Sequence, residues 1–201
     1  MIRAFFGLQH NPFSLDNLTL LPHQQEIFDT LKVHSQQGGL CLILGNPGTG
    51  KSIIKEAILK EANKQNPDKR TVVISVARTL HTYINTLKIL CDAFNVEWEG
   101  SDFKCEKRAI QEAYRLNQQG KTLITAIDDA HLMDFNTLRK LRLLFEDFPK
   151  NHNLILIGQP YLLQKMNLTV NEDIKSRVTY SALILKLNPN DMQRFILGQL
   201  D

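Results

Sequence analysis

The sequence contains few of the residues and segments that mark specialised classes of protein. Its three cysteines, Cys41, Cys91 and Cys105, lie far apart, so they form no C-x-x-C pair and no zinc ligand set with the histidines. We expect them to be free, mostly buried thiols in a reducing compartment. No apolar run approaches the length of a membrane span, and the N-terminus lacks the apolar core of a signal peptide. These absences predict a cytoplasmic protein with no membrane insertion.

Charge of one sign is also scarce. The 24 basic and 21 acidic side chains leave a net charge of +3, and no run of like charge is long enough to form a tail. This balance is compatible with a nucleotide or nucleic-acid partner without requiring one. What the sequence has instead is an ordinary globular composition, 43% hydrophobic and 22% charged, in 201 residues. That length suffices for one sizeable α/β domain.

Short apolar runs alternate with helical patterns along the chain. The runs predict strands at 40–44, 71–76, 122–127, 154–157 and 183–187. Apolar residues at helical spacing predict helices at 51–64, 81–94, 107–120 and 134–148, the last capped by Asp134. A further helix ends at Gly38, and another comes after the fifth strand with Asn190 or Asp191 as its cap. The alternation predicts a doubly wound, mostly parallel sheet flanked by helices.

The segment GNPGTGKS matches the phosphate-binding pattern G-x-x-x-x-G-K-[ST] in full, between a predicted strand and a predicted helix. Its glycines let the backbone turn N–H groups toward a phosphate, and the helix N-terminus adds partial positive charge. We expect Lys51 to reach the β- and γ-phosphates and Ser52 to ligate Mg²⁺. The alternative is a glycine-rich turn with a chance lysine. The expected nucleotide-binding residues of this loop are Gly45, Asn46, Pro47, Gly48, Thr49, Gly50, Lys51, Ser52 and Ile53.

Two adjacent carboxylates, Asp128 and Asp129, come directly after the predicted third strand. A phosphate-binding loop needs an acid at the tip of a neighbouring strand to orient the Mg²⁺ shell, and Asp128 has this position. Asp129 is a candidate general base for the attacking water. The alternative for each is a solvated acid at the end of a strand. It is stronger for Asp129, whose side chain is one methylene shorter than that of Glu.

With these motifs, the segments FFGLQHNPF, IDDAHLM, LRLLFED and LILIGQPYLLQKM followed by SRV resemble the ExeA-like AAA+ P-loop ATPases. That group includes the general secretion pathway protein A type and transposon-associated ATPases similar to MuB, TnsC and TniB. The resemblance covers essentially the whole chain. It implies a five-stranded sheet in the order 5-1-4-3-2, ATP and Mg²⁺ as cofactors, and a homo-oligomer, as a ring or filament, in the full-length form.

The resemblance also implies roles for residues outside the two motifs. Gln159 has the position of the polar sensor that contacts the γ-phosphate or the water, and otherwise is an ordinary loop glutamine. Arg177 has the position of an arginine finger that completes the site of a neighbouring subunit, and otherwise is a surface arginine. Asn11 and Phe13 resemble the element that lines the adenine pocket, although Phe13 is equally compatible with a place in the core.

The chain departs from the family pattern in two places. Asp129 replaces the usual Glu, which puts the rate of hydrolysis in doubt while leaving ATP binding intact. Family members continue into a helical lid, whereas this sequence ends within the first lid helix, either as a truncated form or because the protein works without a lid. We therefore expect an N-terminal helical segment (1–39) packed on an ATPase core (40–188), followed by the start of a truncated lid (189–201).

The sequence leaves the biological role open. The resemblance favours a DNA-transposition helper that recruits or regulates a transposase. The alternatives are an accessory ATPase of a secretion or pilus-assembly system without DNA binding, and a weakly hydrolysing ATP-binding switch. For a DNA contact, the candidates Arg139, Lys140 and Arg142, with Arg78 and His81, compete with the simpler interpretation of a solvated helix face.

Overall fold

The computed structural model describes residues 20–64, 71–76, 82–168 and 171–200. In chain order the elements are α1 (Pro22–Gln37), β1 (Gly39–Gly45), α2 (Lys51–Lys64), β2 (Thr71–Val76), α3 (Tyr83–Ala93), α4 (Asp102–Gln118), β3 (Thr122–Ile127), a 3₁₀ turn (Ala130–Leu132), α5 (Phe135–Glu146), β4 (Asn153–Gly158), α6 (Tyr161–Met166), α7 (Glu172–Lys175), β5 (Val178–Ile184) and α8 (Pro189–Leu200). None of the helices in these described ranges is long and apolar enough to cross a membrane.

The five strands form one sheet in the order β2-β3-β4-β1-β5, and every pairing between them is parallel. This is the predicted order 5-1-4-3-2 counted from the other edge, so the predicted α/β fold class is confirmed. Parallel strands need crossover connections, and the helices between them supply these. All five strands therefore have their carboxyl ends on the same side of the sheet, where the loops after β1, β3 and β4 meet.

The core lies in two layers, one on each face of the sheet. Along β1, Leu42 and Leu44 belong to the layer covered by α3, α4 and α5, while Cys41 and Ile43 belong to the layer covered by α1 and α2. All four side chains are at most 1% exposed. Each such burial stabilises the fold by about 1.5–3 kcal/mol. Burial on both faces explains why this strand is apolar at every position rather than alternating.

The fifth strand differs from the prediction. It runs from Val178 to Ile184, not over 183–187. As an edge strand it buries one face, with Ala182 and Ile184 inside while Leu183 and Leu185 stand more than half exposed. Polar residues on the exposed face of VTYSALI interrupt the continuous apolar run that would predict a buried strand. The apolar run LILKL, from which the strand is predicted, lies mostly beyond its end.

Smaller differences concern helix boundaries and faces. Helix α4 begins at Asp102, five residues before the predicted start. The cap of α8 is Asn188, whose Oδ1 accepts from the backbone N–H of Asp191 (2.8 Å), so neither Asn190 nor Asp191 has that role. Helical spacing also predicts Ile84 on the buried face of α3 with Leu87 and Cys91, but Ile84 is exposed. The predicted cap Asp134 is confirmed, because its Oδ1 accepts from Thr137 N (2.7 Å).

Candidate active site

The loop between β1 and α2 is held in shape by its own hydrogen bonds. The backbone N–H and the hydroxyl of Thr49 both donate to the carbonyl of Asn46, at 3.3 and 2.9 Å. Thr49 is buried, whereas Asn46, Pro47 and Gly48 are exposed. Helix α2 begins at Lys51, and the first N–H groups of a helix have no acceptor within it; of these, the N–H of Ile53 donates to the carbonyl of Gly50 (3.0 Å). A loop of this form offers several donors to one anion.

Gly50 is where helix α1 touches the loop. Its φ of +89° favours glycine, and a Cβ at this position would collide with the Nε2 of Gln24. Gln24 is 2% exposed and its Oε1 accepts from the backbone N–H of Leu21 (3.1 Å). The first turn of α1 is thus locked against the phosphate-binding loop. Sequence reasoning missed Gln24, because a glutamine in an amphipathic helix carries no local signal of such a contact.

Lys51 lies across the loop. Its Nζ donates to the carbonyls of Gly45 and Asn46, each at 2.8 Å. Burial lowers the pKa of Lys51, and the negative charges of Asp128 and Asp129 oppose that shift. The lysine and both acids therefore share one electrostatic environment. Phosphate oxygens would be stronger acceptors for this ammonium than the two carbonyls.

Asp128 is buried at the end of β3 and both of its oxygens are engaged. The backbone N–H of Asp129 donates to Oδ1 (2.9 Å), and the Nζ of Lys55 donates to Oδ2 (3.0 Å). The side chains of Lys55 and Asp128 are 18% and 9% exposed, so this ion pair lies largely out of solvent. Sequence reasoning missed Lys55. Its only signal is its place one helical turn after Lys51.

Asp129 has the backbone conformation of a left-handed turn, with φ 51° and ψ 33°. It precedes the 3₁₀ turn Ala130–Leu132, and its carbonyl accepts from Leu132 N (2.9 Å). Aspartate is one of the few residues besides glycine that enter this region readily. An aspartate at position 129 thus suits the left-handed backbone conformation as well as the expected role of general base.

The end of β4 supports the turn that comes after Asp129. A Cβ on Gly158 would lie 3.2 Å from the backbone nitrogen of His131 and 3.4 Å from its Cβ, so the turn rests directly on this glycine. Gln159 comes next and is half-buried, and its carbonyl accepts from Leu162 N (2.9 Å). Because β4 pairs with both β1 and β3, Gln159 emerges between the phosphate-binding loop and the two acids. Sequence reasoning assigned no role to His131.

Arg177 lies away from this group. It directly precedes β5. Because β5 is parallel to β1, Arg177 lies on the side of the sheet where the strands begin, opposite to the side where β1 ends. Its side chain is 59% exposed and pairs with Glu146 at the end of α5 (Nε–Oε1 3.1 Å). Arg177 is therefore remote from the site of its own chain. The predicted adenine-pocket residues Asn11 and Phe13 lie outside the described residues.

The basic residues of α5 are engaged within the molecule. Arg139 pairs with Asp173 (3.1 Å), Arg142 pairs with Glu146 (2.9 Å), and the Lys140 ammonium lies 5.2 Å from the centre of the Tyr83 ring. The side chain of Arg142 is only 16% exposed. The interpretation of this stretch as a solvated helix face is thus wrong for Arg142. Arg78 and His81 lie outside the described residues.

Comparison with known proteins assigns the class. The family model described as an AAA domain matches residues 33–166, more than half of the chain, including the phosphate-binding loop, both acids and Gln159. The chain therefore belongs to the AAA domain family of P-loop proteins, and its fold supports nucleotide binding. Arg177 lies beyond the matched range.

Individual relatives are more distant. General secretion pathway protein A of Aeromonas hydrophila is 25% identical over 210 aligned positions, which cover 100% of this chain and 38% of that protein. This supports the predicted ExeA-like type, although the chain spans well under half the length of that relative. Among solved structures, Cdc6p from Pyrobaculum aerophilum has a TM-score of 0.69 at 15% identity, covering 94% of this chain and 52% of that one. The Aeropyrum pernix ORC1 protein in complex with DNA also has a TM-score of 0.69, at 17% identity, covering 90% and 50%. The two structures are similar to this chain in fold.

Proposed function

We propose that the protein is an AAA+ ATPase that binds and hydrolyses Mg-ATP. The observation that carries the proposal is that the phosphate-binding loop after β1, the two acids after β3 and Gln159 after β4 follow the carboxyl ends of three neighbouring parallel strands. The carboxyl ends of the strands of an open parallel sheet are where α/β proteins bind ligands.

The residues at these strand ends fit a magnesium nucleotide. Backbone amides of the loop and of the start of α2 bind the phosphates together with the Lys51 ammonium, whereas the amides of Thr49 and Ile53 already donate to the carbonyls of Asn46 and Gly50. Ser52 is exposed at the start of α2 and offers a hydroxyl, and Asp128 offers a carboxylate at the end of β3. Magnesium keeps several waters and takes few protein oxygens, so this donor set suits it. When bound, Mg²⁺ would neutralise charge on the β- and γ-phosphates.

Asp129 and Gln159 then act in the hydrolysis step. Asp129 accepts a proton from a water while the water oxygen bonds to the γ-phosphorus and the bond to the β–γ bridging oxygen breaks. Gln159 orients that water, and Arg177 acts in trans as the finger of a neighbouring subunit in a homo-oligomeric ring or filament. The products are ADP and phosphate. The short side chain of Asp129 favours a slow reaction, which keeps an ATP-binding switch as an alternative.

For domain organisation, we propose that residues 1–39 pack on the core of residues 40–188 and that residues 189–201 begin a helical lid. The contact of Gln24 with Gly50 supports the first part. The proposed adenine-pocket residues are Asn11 and Phe13. The proposed compartment is the cytoplasm, which the three buried free cysteines support.

For the biological role, we propose a DNA-transposition helper whose partners are DNA and a transposase. The segments LRLLF and GQPYLLQKMNL support this role through their resemblance to transposon-associated ATPases. A secretion or pilus-assembly role is the second candidate, favoured by the identity with general secretion pathway protein A.

The first test compares the wild type, Lys51→Ala and Asp128→Asn. It measures the binding of a slowly hydrolysed ATP analogue and, separately, the turnover of ATP. We expect Lys51→Ala to abolish measurable binding and Asp128→Asn to remove its magnesium dependence. Equal binding by the wild type and Lys51→Ala would overturn the nucleotide site.

The biological role is tested by DNA binding at low salt. ATP-dependent DNA binding that weakens with salt supports the transposition role. Absence of DNA binding, with oligomers still formed in ATP, favours the secretion role.

A further inference from the structure

The buried acid of the site already has a cation. Lys55 Nζ lies 3.0 Å from Asp128 Oδ2, and the two residues are 73 positions apart in sequence. Lys51, the lysine of the motif, instead contacts two carbonyls of its own loop. The Lys55 ammonium, on the second lysine of α2, thus contacts Asp128 directly, while the Lys51 ammonium interacts with this acid electrostatically.

This pair leaves no oxygen of Asp128 without a donor. Oδ1 accepts from the backbone of Asp129 and Oδ2 accepts from Lys55. A carboxylate that is 9% exposed needs such partners, since a buried charge without them is strongly destabilising. Lys55 is itself only 18% exposed, so the two charges hold each other in place.

A magnesium ion bound beside Asp128 changes this balance. It adds two positive charges close to an ammonium that lies 3.0 Å from the same carboxylate. Like charges at such separations repel strongly in a partly buried site. A magnesium ion held by Asp128 and the Lys55 ammonium on Oδ2 would therefore weaken each other's binding to the carboxylate.

We propose that Lys55 is a positioning residue that holds Asp128 in the nucleotide-free protein and competes with Mg²⁺ for its Oδ2 oxygen. This inference rests on the proposed function. Binding of the magnesium nucleotide displaces the Lys55 ammonium from Oδ2, and this displacement sets how much magnesium the protein needs. Lys55 thus ties the state of the Asp128 carboxylate to the presence of the metal.

Two substitutions change the competition in opposite directions. Lys55→Met removes the competing charge, so we expect the half-saturating Mg²⁺ concentration for nucleotide binding to fall by about five- to tenfold. Lys55→Arg keeps the charge and offers a two-pronged contact to the carboxylate, so the Mg²⁺ requirement rises. Lys60→Met removes a lysine from the same helix and is the matched control, with the magnesium requirement of the wild type.

The experiment titrates Mg²⁺ against binding of a fluorescent, slowly hydrolysed ATP analogue, with a parallel series in EDTA. Nucleotide affinity in EDTA should change little in Lys55→Met, because the effect acts through the metal. An unchanged magnesium requirement in both Lys55 variants would show a purely structural ion pair and overturn the inference. Failure of the wild type to bind the analogue would instead overturn the proposed nucleotide site, so the two failures are distinct.

Thermal unfolding shows whether each variant still folds. Without nucleotide, Lys55→Met should unfold at a lower temperature than the wild type, because Asp128 loses its counter-charge. The double variant Lys55→Met/Asp128→Asn should recover most of that loss. If Lys55→Met does not fold, Lys55→Arg alone decides, since a magnesium requirement equal to that of the wild type contradicts the competition.

Discussion

At the scale of single residues, backbone geometry and chemistry compete at position 129. Asp129 has a positive φ, which disfavours most side chains, and stands where the resemblance to the ExeA-like ATPases implies a Glu. Glu reaches farther but enters the left-handed region less readily than Asp. The structure therefore gives a physical reason for the shorter acid.

This conflict predicts opposite effects of Asp129→Glu. Turnover should rise, because the carboxylate reaches closer to the attacking water, while the free energy of unfolding falls by about 1 kcal/mol. Steady-state phosphate release and urea unfolding measure the two quantities. Asp129→Asn is the control, since it tolerates the same backbone conformation and removes the base. It should unfold like the wild type while turnover falls at least about tenfold. A faster Asp129→Asn would contradict the assignment of the base.

At the scale of elements, the site depends on how helices meet the sheet. Helix α1 touches the phosphate-binding loop through Gln24, and the turn after β3 rests on Gly158 at the end of β4. Neither contact belongs to a local motif. Each joins two elements that are distant in sequence, and each constrains the shape of the loop that would receive the nucleotide.

The contact of α1 predicts that Gln24→Ala destabilises both fold and site. The substitution leaves the backbone N–H of Leu21 without its acceptor, at a cost of about 1–3 kcal/mol. We also expect a smaller rise in melting temperature on adding the ATP analogue, because Gly50 loses its neighbour. Gln25→Ala is a matched control, since Gln25 bonds to Asp29 on the exposed face of the same helix. Equal effects of the two variants would contradict the role of Gln24.

The junction of β4 and α5 predicts a specific acid sensitivity. Burial lowers the pKa of His152 to about 3, and its Nε2 hydrogen-bonds the Thr125 hydroxyl (3.0 Å) while its ring stacks on Phe145. The folded state keeps this histidine neutral, whereas the unfolded state protonates it below its ordinary pKa of 6.5. The stability contributed by the neutral form is therefore fully present above pH 6.5 and declines as the pH falls toward 3, by about 1.4 kcal/mol per pH unit.

Urea unfolding from pH 8 to pH 4 in the wild type and His152→Phe measures this contribution. The variant should lose less stability on acidification, whatever its stability at pH 8. Parallel profiles for the two proteins would show that His152 is not the group responsible.

At the scale of the whole molecule, the sheet separates the proposed catalytic groups. The phosphate-binding loop, both acids and Gln159 lie on the side where the strands end. Arg177 lies on the opposite side, where the strands begin, and pairs there with Glu146. No rearrangement of side chains alone brings Arg177 to the site of its own chain. If Arg177 acts in hydrolysis, a second copy of the chain must receive it.

This separation predicts complementation between two inactive variants. Arg177→Ala should lower turnover without changing nucleotide affinity, and Lys51→Ala should abolish binding. Mixing the two should restore part of the activity, because a Lys51→Ala subunit donates an intact Arg177 to an Arg177→Ala neighbour that binds ATP. Phosphate release across mixing ratios measures this. A simple sum of the two separate activities at every ratio would contradict the trans role.

Much of this molecule can be predicted from local patterns. The phosphate-binding loop depends on a spacing within eight residues, and continuous apolar runs reveal strands buried on both faces, so these runs predict β1, β2, β3 and β4 within a residue or so of their ends. The prediction of β5 is wrong in position because an edge strand buries only one face. The positions of Asp128 and Gln159 are predictable from their place after such strands.

The sequence by itself determined the P-loop α/β class, since loop spacing and strand hydrophobicity are local properties. Only the tertiary structure decided which lysine forms an ion pair with Asp128, which helix supports Gly50, and on which side of the sheet Arg177 lies. Those facts depend on contacts between residues far apart in the chain, such as Lys55 and Asp128, 73 positions apart. A helical pattern marks Lys55 only as a polar residue on α2, and the folded sheet places it on the carboxylate.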